Sequence, residues 1–295
     1  MPSRLIRTLL PLAAVAFAVA VPASAQAART SYYVSLGDSY AVGYQATGPG
    51  TGRTTRNGFA DQVVDRAKAR GHRLKLVNFG CGGETTTSVL KRKSSCLGRA
   101  PGAPNYAGRT QVAAAERFLR RHRGKVKLIT VSIGGNDVTA CAREAEPVAC
   151  VGTAVEGIKR NGKTLVKRLR KAAGKKARVV GITYPDVILG GWVSGQQADR
   201  DLATLSVAAF RSYINPALKQ VYKSVGGRFV DVTAATGAYG SLDEMTTLAP
   251  YGTIPVPVAK VCQISYYCNF RDIHLTTAGY GVIAKLVART LPRKS

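Results

Sequence analysis

The stretch "SYYVSLGDSY" spans residues 31–40, and its reading decides the fold. Six residues rich in aromatic and β-branched types run straight into Gly37, Asp38 and Ser39, which reads as a strand ending abruptly in a turn. The same sign recurs along the chain. Strand-like runs lie at 73–79 (RLKLVNF), 125–133 (KVKLITVSI), 177–183 (ARVVGIT) and 228–232 (RFVDV). Amphipathic stretches separate them near 57–71, 109–123, 153–174 and 196–225, with a last one near 276–291. Strand–helix alternation at this spacing predicts an α/β fold, in which right-handed crossovers wind about a central parallel sheet of about five strands.

No long linker and no internal repeat interrupts this pattern, so residues 26–295 read as one domain. Two stretches break the alternation: "YPDVILGGWVSGQ" (184–196) and the Pro/Gly-punctuated 236–270. Both are expected at carboxyl ends of strands, where open α/β sheets bind their ligands.

Residues 1–25 read differently. Arg4 and Arg7 precede a short apolar run that ends in Ala23-Ser24-Ala25, the layout of a cleaved secretory leader. Six cysteines suit an oxidising compartment. Fifteen connectivities are possible; the simplest joins Cys81 to Cys96, Cys141 to Cys150 and Cys262 to Cys268, each pair bracketing one loop-like stretch. No C-x-x-C occurs and the histidines lie elsewhere, so no metal is expected.

The formal charge is +27, and +25 without a leader carrying Arg4 and Arg7. Such a field attracts anionic lipid or cell-wall polymer. The lysines and arginines are not interleaved with aromatics and no nucleic-acid motif accompanies them, which argues against specific nucleic-acid recognition. With no other long apolar segment, the mature chain is expected to be an exported monomer without a membrane span.

Ser39 is either an ordinary turn residue or a nucleophile. A nucleophilic serine needs a base, a group to orient that base, and donors for the oxyanion. His72 and His122 lie in basic segments and read as solvated surface. His274, in "FRDIHLTTAGYG", stands beside Asp272 just before a helix start and is the candidate base. "VNFGCGGETTT" (77–87) and "VSIGGNDV" (131–138) end the second and third strands with glycines and Asn136, all suited to donate N–H groups.

These four segments, in order, resemble the blocks of the SGNH or GDSL hydrolase family, and particularly its secreted actinobacterial lipases and esterases. The resemblance implies a flavodoxin-like three-layer α/β/α sandwich that hydrolyses carboxylic esters with no metal or organic cofactor. It assigns Ser39 as nucleophile, His274 as base, and the N–H groups of Ser39 and Gly83 with the Asn136 side chain as oxyanion hole. One departure stands out. The family usually carries its acid three residues before the histidine, where this chain has Arg271. Asp272, two residues before, shares a face with His274 in an extended segment; the alternative is a backbone carbonyl of 271 or 272 orienting the ring. Asp38 reads as a structural acceptor in the turn.

For substrate, Val187, Ile188, Leu189 and Trp192 are candidates for an acyl pocket. The stretch at 250–258 is apolar enough for a lipid-facing rim or lid. With the charge, this favours lipid or phospholipid acyl esters. The rivals are a carbohydrate or polyester esterase on the same scaffold, and a catalytically inactive module that binds polyanions.

Overall fold

Strands β1 (Ser31–Gly37), β4 (Leu74–Asn78), β5 (Val126–Ser132), β6 (Arg178–Ile182) and β7 (Arg228–Val230) form one parallel sheet in the order β4-β1-β5-β6-β7. Two antiparallel hairpins lie outside it, β2 (Tyr44–Gly48) with β3 (Thr51–Thr54) and β8 (Met245–Leu248) with β9 (Gly252–Pro255). This computed structural model describes residues 30–293 apart from 94, 95 and 97. The leader read at 1–25 lies outside the described residues. Among those described, no helix is long and apolar enough to cross a membrane.

The central strands are buried over nearly their whole length, as covering a parallel sheet on both faces requires. Helices Phe59–Lys68 and Thr277–Arg289 pack against each other, as do Gln111–Arg121, Pro147–Ala173 and Asn215–Lys223 side by side. Right-handed crossovers put these two groups on opposite faces, completing the three layers. Local chemistry sets several boundaries. Thr110 and Thr276 cap their helices by accepting the N–H of Ala113 and Gly279, each at 3.2 Å. Helix Pro147–Ala173 starts earlier than the sequence pattern suggests because Pro147 suits a first helical turn.

The amphipathic stretch at 196–225 is broken. Helix Gln197–Ala209 passes through a π-helical segment, Phe210–Ile214, into Asn215–Lys223. Pro216 has no N–H for the ladder, and the wider turn falls just before it. The loop expected at 236–270 contains the β8–β9 hairpin and helices Val256–Ile264 and Tyr267–Phe270.

Chain order along the sheet reverses between β1 and β5. Ligands of doubly wound sheets sit at that switch point, beyond the carboxyl ends of the strands. Gly37 marks it. Its φ is +139°, and a Cβ there would stand 2.0 Å from Ser132 O of β5, so the two strand ends approach this closely only with glycine.

Candidate active site

Ser39 follows β1 in a turn held from several sides. Gln111 accepts the Gly37 N–H and donates to the Gly37 carbonyl, each at 2.9 Å, while the Asp38 N–H donates to Ser132 O at 3.1 Å. The Asp38 carboxyl accepts the Tyr40 N–H at 3.0 Å and the Tyr184 hydroxyl. Burial drives that carboxyl up to about 7, against both hydrogen bonds. Asp38 is thus the acceptor that shapes the turn, as its place in the sequence suggests.

Tyr40 links this turn to the C-terminal segment. Its hydroxyl donates to Ile273 O at 2.6 Å, and its ring lies 6.1 Å from the His274 imidazole. On another side Tyr44 packs at 4.3 Å from the same imidazole. His274 Nδ1 lies 2.7 Å from Asp272 Oδ1, which also accepts the His274 backbone N–H at 2.8 Å. A carboxylate only accepts, so the ring proton belongs on Nδ1 and Nε2 is left with its lone pair. Burial pushes the Asp272 carboxyl up, but its hydrogen bonds and charge interaction with His274 outweigh that and hold it below the usual range.

The side chain of Asp272, not a backbone carbonyl, therefore meets the imidazole. Arg271, at the position where the acid is usual, adopts φ +54° and turns its guanidinium to Asp199 at 2.6 Å. His72 and His122 both precede strands and lie at the opposite end of the sheet. His72 is buried, not solvated, with Nε2 2.7 Å from Pro292 O. His122 packs on Phe118 and Tyr32.

The two glycine-rich segments are tied together. Asn136 Nδ2 donates to Glu84 O at 2.8 Å, which brings it beside Gly83. The Asp137 carboxylate accepts from the Thr86 N–H at 2.9 Å and from the Thr86 hydroxyl at 2.5 Å. Gly83 has φ +75°, which disfavours any side chain. Among the described residues, neither the Ser39 nor the Gly83 N–H is given to another protein group.

Ser39, Asn136 and Ile273 border a cavity of about 350 Å³. Its walls are otherwise mostly apolar, from Val138, Val151, Val187, Ile188, Phe210 and Ile214 among others. Gly83, Asp272 and His274 stand outside its lining. So do two residues the sequence points to. Leu189 is wholly buried in the core, and Trp192 packs against the core with Arg200 over its ring at 5.6 Å. Residues 250–258 do not form a rim or lid over this cavity either. Ile254, Pro255, Pro257 and Val258 are buried inward.

The expected disulfides are present: Cys81–Cys96, Cys141–Cys150 and Cys262–Cys268. The second lies at the cavity wall, where Cys141, Pro147 and Val148 all contribute. No cluster of three or more His, Cys, Asp or Glu side chains among the described residues is arranged to hold a metal.

Fold and site define a class: a doubly wound α/β protein with a serine, an asparagine and a carboxylate-bound histidine gathered around its switch point. A sequence model of the GDSL-like lipase/acylhydrolase family matches residues 35–282, and the chain belongs to that family of ester hydrolases. In fold it is similar to the extracellular lipase of Streptomyces rimosus, at 19% identity and TM-score 0.53, covering 87% of this chain and all of that one. It is also similar to lipase Lip_vut3 from a goat rumen metagenome, at 15% identity and TM-score 0.51, covering 88% and 97%. Comparison with curated proteins finds no significant match.

Proposed function

We propose that the protein is a secreted serine esterase acting on lipid acyl esters. Ser39 Oγ attacks the ester carbonyl carbon as its proton passes to His274 Nε2. Asp272, bound to Nδ1, holds the tautomer and faces the imidazolium that forms. The N–H groups of Ser39 and Gly83 and the free N–H of the Asn136 amide receive the oxyanion. As the tetrahedral intermediate collapses, the C–O bond to the alcohol breaks and His274 protonates the leaving oxygen. Water then attacks the acyl carbon as its proton passes to His274, and the bond to Ser39 Oγ breaks as His274 returns that proton to Oγ, releasing the acid.

One observation carries the lipid reading: Ser39 and Asn136 border a mostly apolar cavity of about 350 Å³. That is room for an alkyl chain, and its walls offer little to hydrogen-bond a sugar. A p-nitrophenyl ester series, with Ser39→Ala as blank, tests both parts. Activity rising from acetate to longer chains supports the proposal. Activity confined to acetate removes the lipid assignment in favour of a carbohydrate-type esterase, and full activity in Ser39→Ala removes the mechanism.

A further inference from the structure

Among the described residues four large apolar side chains stand exposed, and three of them ring one opening. Val148 is 61%, Leu205 40% and Tyr213 57% exposed, and all three border the cavity that ends at Ser39. They come from three elements, helix Pro147–Ala173, helix Gln197–Ala209 and the π-helical Phe210–Ile214. A folded protein rarely collects its exposed apolar side chains in one place without a partner for them.

Next to the opening a groove runs between helices Pro147–Ala173 and Asn215–Lys223. Gly152 and Tyr213 border both the opening and the groove, so the apolar and polar surfaces are continuous. Lys159, Lys219 and Lys223 line the groove, against a single acidic side chain, Glu156, which Lys159 engages at 2.7 Å. Lys219 and Lys223 lie one turn apart on one helix face and are exposed. The exposed Glu144 and Glu146 belong to the Cys141–Cys150 loop and do not line the groove.

We infer that this combined face docks on an anionic lipid surface, with the Val148–Leu205–Tyr213 rim entering the acyl boundary and the Lys159–Lys219–Lys223 groove meeting the head groups. The inference rests on the hydrolase reading only in that the docked opening then feeds acyl chains to Ser39. The chemistry fits the occupant. An apolar rim gains by entering the interface, and cations within a Debye length of a negative surface add attraction. A soluble polyanion uses the lysines but leaves the rim uncovered.

Sedimentation with vesicles tests the inference, using Ser39→Ala protein so that lipid is not consumed. The vesicles are phosphatidylcholine alone, or phosphatidylcholine with phosphatidylglycerol. Binding is expected only with phosphatidylglycerol and weakens as salt rises. In Lys219→Glu/Lys223→Glu it drops by more than about 20-fold, taking about 1 kcal/mol per cation as a lower bound. Introduced into active enzyme, that pair leaves hydrolysis of a soluble short-chain ester intact, which shows that the fold survives. Tyr213→Ser is expected to weaken vesicle binding as well. The charge-matched control is Lys285→Glu/Arg289→Glu, exposed and one turn apart on helix Thr277–Arg289 in the opposite layer, and it keeps most of the binding. Equal loss in both pairs overturns the inference in favour of diffuse charge. Tyr213→Ser binding like its parent, with polyphosphate displacing all binding, overturns it in favour of a polyanion site. Absence of phosphatidylglycerol-dependent binding by a protein that hydrolyses soluble esters overturns docking alone, whereas loss of ester hydrolysis by the unsubstituted enzyme refutes the hydrolase reading instead.

Discussion

The two ends of the cavity are built by different means. At the Ser39 end the proposed groups are fixed by directed hydrogen bonds among the segments around the sheet's carboxyl edge: Gln111 to Gly37, Tyr40 to Ile273, Asp272 to His274, Asn136 to Glu84. At the outer end apolar side chains from three helical segments enclose space by packing, with few polar partners. A directed bond places an atom to within fractions of an ångström, while packing sets a volume and tolerates exchange of similar shapes. Under the proposed function, chemistry belongs to one end and substrate preference to the other.

Substitutions should separate the two ends. Asp272→Asn breaks the polar end most severely: it turns the acceptor on Nδ1 into an amide, and kcat is expected to fall roughly 10³- to 10⁴-fold for every chain length. Near-normal turnover would return the orienting role to a backbone carbonyl. Asn136→Ala removes an oxyanion donor together with its tie to Glu84, and steady-state kinetics should show kcat reduced about 10²- to 10³-fold. Tyr40→Phe loses one hydrogen bond to Ile273, worth about 1 kcal/mol, so kcat should drop by up to about tenfold with KM nearly unchanged.

Ile188→Ala acts on the packed end. It should lower kcat/KM on long-chain esters at least about fourfold and leave acetate hydrolysis unaffected, since even one lost methylene contact is worth about 0.8 kcal/mol. The smallest effect concerns stability. Burial raises the Asp186 carboxyl to about 7, and Ser206 is its side-chain hydrogen-bond donor. A raised carboxyl binds more protons folded than unfolded. Its contribution is complete below about pH 4 and is lost as pH climbs through about 7. Denaturant titrations across that window should show stability declining with pH, and less steeply in Asp186→Asn.

The same contrast explains what the sequence discloses. All five sheet strands are legible because buried parallel strands are short apolar runs. Gly83, Asn136 and Ser39 are legible because each sits in a few consecutive residues at a strand end. The Asp272 contact is open in the sequence, since residues 271 and 272 each offer an acceptor, and only the fold brings the Asp272 carboxylate to Nδ1. Tyr40 carries no signal of its role, because its partner is a carbonyl 233 residues away. The cavity wall is the least legible part. An apolar residue after a strand reads alike whether it faces core or cavity, so Ile188 and Leu189 separate only in three dimensions. Leu205 and Tyr213 lie in what reads as an ordinary amphipathic helix, and only the π-helical segment before Pro216 shows how that stretch turns.

The crosslinks are unevenly placed with respect to this site. Cys81–Cys96 closes the loop that carries Gly83, Cys141–Cys150 bounds the cavity wall, and Cys262–Cys268 leads into Asp272 and His274. The turn bearing Ser39 has none and relies on hydrogen bonds. A reducing agent would therefore cut covalent ties in the segments around Ser39 and none in the turn that bears it.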